Sequence, residues 1–352
     1  MNNNALAGPT TAVVIPCYRC SQTLKAVVRK IPSSIHRIYI VDDACPEQSY
    51  KSLKNVEDDR IHILHNQVNK GVGGAVIKGF EQAIRDGISI VIKIDGDDQM
   101  DSTYIDHYLE SLSTSDIDYV KGNRFFWLQG LNKMPFVRVF GNSCLSLLSK
   151  ISTGYWNMTD PTNGFIGMKT STLLSIDYKN LDSRYFFETD LLFQLGLARA
   201  NIYEIYMPAI YGSEKSNLNE LTSIFTFFSK NLSRAIKRIF YNYFLREFNY
   251  GTISLMASVV FNLFGLYWGV TRWVEAAGKG EVVSSGTTMM AALPIIVGIQ
   301  LFLFFLQYDI GYLSRHQKGV AQSQRLAKVP DVAARGLPSV AVENPTIEKT
   351  VL

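Results

Sequence analysis

Ile88-Ser89-Ile90-Val91-Ile92-Lys93-Ile94 runs directly into Asp95-Gly96-Asp97-Asp98-Gln99. Seven mostly β-branched residues closed by a turn read as a buried strand. Carboxylates cost several kcal/mol to desolvate unless paired or metal-bound. Two of them at positions i and i+2 off a strand end can bracket an oxygen-loving divalent cation. Taken alone, such a tripeptide is more often a turn or a helix cap, so its surroundings decide.

Upstream, Thr11 to Pro16 is a β-branched run closed by proline and reads as a first strand; Ser21 can cap a helix through Ile31. Arg37 to Val41 forms a second strand ending in Asp42-Asp43, and Ile61 to Leu64 a third. The loop Asn69-Lys70-Gly71-Val72-Gly73-Gly74 then opens a helix through Ala83. Strands alternating with helices predict an α/β fold with a mostly parallel, Rossmann-like sheet covered on both faces. Ligands of such sheets gather beyond the carboxyl ends of the strands, where Asp42-Asp43, Asn66 and Asp95 stand. Glycines permit close backbone approach and a helix N-terminus attracts anions, so the Asn69–Gly74 loop is a candidate phosphate cradle. It is not a dinucleotide fingerprint: Val76 occupies the third glycine position, and the loop follows the third strand rather than the first.

After Tyr104 the pattern loosens, with helices expected over about Phe136 to Ile151 and Phe186 to Ala200, a loop at Thr159 to Gly164, and a strand from Ile202 to Met207. From Glu220 to Phe248, Leu221, Ile224, Phe225, Phe228, Leu232, Ile236, Ile239 and Tyr243 share one helical face. Lys230, Arg234, Lys237 and Arg238 lie opposite. This suits a lipid headgroup zone, or alternatively a helix packed on the globular domain. Gly251 to Thr271 and Met289 to Gln307 are each long enough to cross a bilayer as a helix, with Trp268, Trp273 and Tyr308 near the ends. Lys230, Arg234, Lys237, Arg238 and Arg246 precede the first span, and Arg315 and Lys318 follow the second. That bias predicts a cytoplasmic N-terminal domain and tail.

These segments divide the chain into a disordered N-terminus (1–10), a catalytic domain (11–216), amphipathic juxtamembrane helices (217–249), a two-helix transmembrane hairpin (250–310) and a disordered cytoplasmic tail (311–352). A net charge of +4 over 352 residues provides no dense basic face for nucleic acid. The polar, Asn-rich N-terminus lacks a secretory-signal pattern. Cys17 and Cys20 form a lone C-x-x-C without a second ligand pair, and with Cys45 and Cys144 they read as packing or loop thiols.

In order and spacing these motifs resemble the family 2 glycosyltransferases with a GT-A fold, specifically the polyprenyl-phosphate (dolichol-phosphate) hexosyltransferases, over roughly Thr11 to Tyr308. Val14-Ile15-Pro16-Cys17-Tyr18 looks like the opening strand, and Asp42-Asp43 like the nucleotide-contacting acidic pair. Asn69-x-Gly71-x-Gly73-Gly74-Ala75, on to Lys78-Gly79-Phe80, looks like the glycine-rich segment, and Asp95-x-Asp97-x-Gln99 like the metal motif. Gly122-Asn123-Arg124 resembles the family's Gly-x-Arg turn, and Arg138 lies where a second phosphate-binding arginine is expected. Asp160-x-x-Asn163-Gly164-Phe165 resembles the sugar-site segment, with asparagine at 163 for serine, and Glu188 fits the acidic residue on the following helix.

The resemblance implies inverting transfer of a hexose, with UDP-glucose the favoured donor, to polyprenyl phosphate at the cytoplasmic face of a membrane, the bacterial inner membrane being the expected one. Asp97, Arg124, Arg138, Asp160 and Glu188 are the expected catalytic residues. Pro16, Tyr18, Asp42, Asp43, Asn69, Gly71, Gly73, Asp95, Gly164 and Lys215 are expected to bind the donor, and Asp95, Asp97 and Gln99 to hold Mg²⁺ or Mn²⁺. The implied partners are the nucleotide-sugar, the polyprenyl phosphate and the bilayer, with a homo-oligomer left open. Two rivals stand beside this reading: an enzyme that extends a lipid-linked saccharide, and an inactive membrane scaffold. Thr271-Arg272-Trp273 is part of a processive-synthase signature whose glutamine position holds Gly269, which counts against that class.

Overall fold

The computed structural model describes residues 8–114, 116–124, 136–208 and 220–313. Lys215, residues 1–7 of the expected disordered N-terminus and residues 314–352 of the expected disordered tail lie outside them, as does the side chain of Arg138.

The sheet comprises β1 (Thr11–Cys17), β2 (Arg37–Asp42), β3 (Ile61–His65), β4 (Ile90–Lys93), β5 (Tyr119–Asn123), β6 (Ile166–Lys169) and β7 (Ile202–Tyr206), in spatial order β3-β2-β1-β4-β6-β5-β7. Pairs β1–β2, β1–β4, β2–β3 and β5–β7 are parallel; β6 runs antiparallel between β4 and β5. Helices α1 (Leu24–Arg29), α2 (Gly71–Arg85), α3 (Ile105–Ser113), α4 (Phe136–Thr153), α5 (Thr170–Leu174) and α6 (Phe187–Ala198) accompany it. The period of two along β1 separates two cores. Ala12 and Val14 pack with Ala75, Val76, Phe80 and Phe187 on one side, while Val13, Ile15 and Cys17 pack with Leu24, Val27 and Ile105 on the other. Each fully buried Val, Ile or Phe contributes about 1.5–3 kcal/mol relative to exposure. Because both faces are covered, the strands read as continuous apolar runs.

The cap expected at Ser21 does not form. Helix α1 starts only at Leu24, and the Ser21 hydroxyl donates instead to Glu47, 3.4 Å away. Strands β5 and β6 fall in the stretch where the sequence pattern loosens. Both are short, and β5 carries Lys121, Gly122 and Asn123 inside the core, which hides its period.

Helix α7 (Glu220–Phe240) and a π-helical turn (Tyr241–Arg246) lead to two long helices, α8 (Tyr250–Lys279) and α9 (Ser285–Ile310). Both are long and apolar enough to cross a membrane, and little of either is buried in protein. They pack on each other, and the Ser258 hydroxyl donates to Gly298 O across the hairpin at 2.8 Å. Helix α8 continues through Arg272, Glu275 and Lys279, so the connection is a short turn at 280–284. Tyr312 and Leu313, within the stretch expected to be disordered, are buried in the core.

Three of the four basic residues of α7 turn toward the protein, opposite to the headgroup expectation, and Lys237 is exposed. Lys230 pairs with Asp182; Arg234 Nε lies 2.6 Å from Asp190 Oδ1; Arg238 is buried on Asp309. Phe225, Phe228, Leu232, Ile236 and Phe240 are exposed instead. The acidic residues it meets sit on α6, on the loop before it and near the end of α9. Pairing buried charges with hydrogen bonds outweighs leaving them unmatched beside the domain.

Candidate active site

The carboxyl ends of β1, β2 and β4 point to one edge of the sheet, and β6 enters there because it runs the other way. A cavity of about 140 Å³ opens at this edge, and Asp95, Asp97, Gln99, Arg124, Gly164 and Glu188 all line it. Six expected site residues, separated by up to 93 positions in the chain, therefore converge. Thr162, Asn163, Met100, Asp101, Met207 and Pro208 complete the wall.

The turn after β4 is held by Asp97 from within and by Thr23 from outside. Asp97 Oδ1 accepts from Gln99 N at 3.1 Å, and Thr23 Oγ1 donates to Gly96 O at 2.5 Å. Asp98 adopts a left-handed backbone (φ 61°) and turns out to Lys30 at 2.7 Å, away from the cavity. A short acidic side chain tolerates this conformation better than most.

Two buried lysines support the site, and neither was recognised from the sequence. Ile166 of β6 is in register with Lys93 on one side and Lys121 on the other. Lys93 Nζ lies 2.7 Å from Asp95 Oδ1 and 3.4 Å from Glu188 Oε1. Burial pulls the Lys93 pKa down, but the charges of Asp95 and Glu188 outweigh it and hold the ammonium above the usual lysine value. Lys121 donates to Asn163 O at 2.6 Å. Burial lowers its pKa to about 8, with Glu188 and Asp160 offsetting part of the cost. A charged residue inside an apolar strand was the available signal: Lys93 breaks Ile90–Ile94, and Lys121 follows Tyr119-Val120.

Arg124 has a protein partner. Its Nε and Nη2 meet Asp160 Oδ2 and Oδ1 at 2.8 and 3.0 Å, a two-pronged pair, with the Asp160 carboxylate fully buried. Asp160 also accepts from Arg124 N at 3.2 Å and Asn163 Nδ2 at 3.3 Å. The structure thus places Asp160 behind the cavity wall, holding Arg124 and the 160–164 loop, with Asn163 and Gly164 at the surface of the cleft. A Cβ on Gly164 would lie 2.5 Å from Lys93 Nζ and 2.6 Å from Asp95 Oδ2, so any larger residue would displace the ion pair on which this loop rests.

The glycine-rich segment is packed closely against its surroundings. Asp43 accepts from Asn66 Nδ2, Lys70 N and Gly71 N at 2.7–2.9 Å, and Gly74 N donates to Ser183 O at 3.0 Å. Asn69 Oδ1 also accepts from Gly71 N, at 3.2 Å. These amides are already satisfied by protein groups. A Cβ at Gly71 (φ 82°) would fall 2.6 Å from Ser183 O, and one at Gly73 would fall 2.8 Å from Phe187 Cβ. The glycines therefore admit the 182–187 segment against α2. Asp42 holds Cys45 N at 3.1 Å and His65 Nδ1 at 3.2 Å. Asp42, Asp43, Asn69, Gly71, Gly73, Pro16 and the half-exposed Tyr18 stand along the same sheet edge but outside the cavity lining. Cys17 and Cys20 are free thiols 3.3 Å apart.

The donor set suits a hard divalent cation. Asp95 and Asp97 present oxygen ligands to one cavity, with the Gln99 amide beside them. Mg²⁺ characteristically uses one or two carboxylates and fills its shell with water and phosphate oxygens. Among the described residues no group of three His, Cys, Asp or Glu side chains forms a complete cage, so the remaining positions would fall to the substrate and water.

With the cleft described, comparison with known proteins defines its class. Residues 12–175 match the family described as glycosyl transferase family 2. The sheet has the GT-A arrangement. Glucosyl-3-phosphoglycerate synthase from Mycobacterium tuberculosis, solved with phosphoglyceric acid, superposes with a TM-score of 0.50 at 15% identity, over 66% of this chain and 80% of that one. Residues 12–175 thus form a family 2 glycosyltransferase domain.

Its relatives narrow the kind. The chain is 27% identical over 197 residues to undecaprenyl-phosphate mannosyltransferase of Micrococcus luteus, which spans 54% of this chain and 80% of that protein. It is 28% identical over 215 residues to UDP-N-acetylglucosamine–dolichyl-phosphate N-acetylglucosaminyltransferase of Methanococcus voltae (56% and 85%). It is 25% identical over 187 residues to polyprenol monophosphomannose synthase of Mycolicibacterium smegmatis (51% and 70%).

Proposed function

We propose that the protein transfers a hexose from a nucleotide-sugar to polyprenyl phosphate, with inversion, at the cytoplasmic face of a membrane. The observation that carries this reading is the convergence of Asp95, Asp97, Arg124 and Glu188 on one cleft of a glycosyltransferase domain that is followed by two apolar, bilayer-length helices. Relatives named for undecaprenyl, dolichyl and polyprenol phosphates support the acceptor.

In this reading the nucleotide lies along the edge formed by Pro16, Tyr18 and Asp42-Asp43, and its diphosphate reaches Asp95 and Asp97. Bound there, Mg²⁺ or Mn²⁺ would act as a Lewis acid that neutralises the leaving diphosphate. Arg124, aimed by Asp160, meets the acceptor phosphate, and Arg138 serves as a second cation from α4. A phosphate monoester has a second pKa of about 6 and is already ionised near neutrality. Glu188 therefore has no proton to remove. Held by Lys93, it orients the sugar from the cleft wall. Catalysis is then mainly positioning and charge stabilisation. The exposed apolar face of α7 and the hairpin keep the cleft beside a substrate confined to lipid. Positive residues flanking the hairpin favour the cytoplasmic side.

UDP-glucose is the donor proposed first. The test supplies purified protein in liposomes containing polyprenyl phosphate with labelled UDP-glucose, UDP-N-acetylglucosamine or a nucleoside-diphosphate mannose in turn. Label should move to polyprenyl phosphate from one donor, and only with a divalent cation present. Label appearing solely on a preassembled lipid-linked saccharide would refute the acceptor; preference for another sugar would refute UDP-glucose alone.

A further inference from the structure

Four carboxylates line the cleft: Asp95, Asp97, Asp101 and Glu188. Asp101 is engaged by the Thr103 backbone amide at 3.0 Å. The Arg124 charge is matched by Asp160. The fixed charge that touches both Asp95 and Glu188 is the buried ammonium of Lys93, with Lys121 beneath the 160–164 loop.

Lys93 is unusually well built in. It ends β4, its side chain is 1% exposed, and it joins Asp95 at the sheet edge to Glu188 on α6. It occupies Asp95 Oδ1 at 2.7 Å and leaves Oδ2 beneath Gly164. A cation ligated by Asp95 shares that carboxylate with a fixed, buried positive charge a few ångströms away. A nucleoside diphosphate brings negative charge that removes the conflict.

Resting on the proposed donor site, we propose that Lys93 is a positioning residue: an internal counter-ion that fixes Asp95 and Glu188 and competes with a free divalent cation, so that the cation binds together with the nucleotide diphosphate rather than ahead of it. The chain thereby avoids holding a bare metal in a site facing the acceptor phosphate.

The test is a Mn²⁺ titration of the full chain in nanodiscs, followed by the electron paramagnetic resonance signal of free Mn²⁺, alone and with UDP or GDP. Wild type should bind free Mn²⁺ weakly and gain at least about tenfold with one nucleotide. Lys93→Met should bind free Mn²⁺ about tenfold more tightly, with the nucleotide enhancement reduced by the same factor. A merely structural role predicts the opposite sign, since a damaged site binds more weakly. Equal Mn²⁺ affinities in the two proteins, or weaker binding by a folded Lys93→Met, overturn the proposal. If Lys93→Met does not fold, Lys93→Gln, which keeps a hydrogen-bond donor between Asp95 and Glu188 without the charge, decides. Free Mn²⁺ should then bind more tightly than in wild type with a smaller nucleotide enhancement, and unchanged or weaker binding refutes the role. Absence of Mn²⁺ binding by wild type even with both nucleotides would instead remove the donor-site reading itself.

Discussion

Lys121 shows most clearly how a single residue is constrained by the site around it. Its ammonium is fully buried and its pKa falls from the ordinary lysine value of 10.5 to about 8, because burial outweighs the attraction of Glu188 and Asp160. Between those values the unfolded chain holds a proton that the folded chain has released. Unfolding there takes up a proton, so stability relative to a variant lacking the group rises with pH. We expect the melting temperature of wild type minus that of Lys121→Met to be flat below about pH 8 and to climb from there toward about pH 10.5. A difference that falls over this window would contradict the burial account. At this scale the sequence was legible where chemistry and position coincide: Asp95, Asp97, Gln99, Arg124, Gly164 and Glu188 meet in the cleft as expected. It was illegible where a side chain's partner lies far away in the chain. Arg124 reads as a free phosphate binder until Asp160 is seen at its fork. Lys93 reads as an interruption of a strand until Glu188, 95 residues away, is seen beside it.

Among the elements, the parallel strands β1 to β4 were readable because burial on both faces leaves long β-branched runs. Strands β5 and β6 were not: five and four residues are too few to show a period, and polar Lys121 and Asn123 occupy positions that only the tertiary environment makes internal. The glycine segment was found, but the packing it permits was not. Gly71 and Gly73 resemble an anion loop in sequence, yet they make room for Ser183 and Phe187, information held more than 100 residues away. Helix α7 carries the same lesson. Lys230, Arg234 and Arg238 share a side as expected, but Lys237 is exposed and Ile239 and Tyr243 pack inward, and amphipathic periodicity does not tell which face meets the protein. Asp182, Asp190 and Asp309 settle that by pairing with its basic side.

At the scale of the whole molecule, one buried cluster joins the globular part to the hairpin. Asp309, near the end of α9, accepts from Arg238 Nη1 and Nη2 at 2.8 and 2.9 Å, from Trp156 Nε1 at 2.9 Å and from Tyr243 OH at 2.8 Å. Arg238 also donates to Ile151 O from α4. Removing one partner of a buried pair leaves an uncompensated charge and costs about 3–5 kcal/mol. Arg238→Met should therefore lower the melting temperature in detergent markedly, and the double variant Arg238→Met, Asp309→Leu should recover much of the loss. A single variant as stable as wild type would show that the cluster does not couple the two parts. This attachment matters because the proposed acceptor stays in the bilayer, so the cleft is useful only if it is held at a fixed place relative to α8 and α9. The account rests on the two aspartates at the end of β4. Its most direct test is sugar transfer to polyprenyl phosphate by Asp97→Ala, measured alongside its melting temperature and vesicle binding. We predict normal folding and vesicle binding with transfer reduced by at least about a hundredfold; near-normal transfer by that variant would contradict the account.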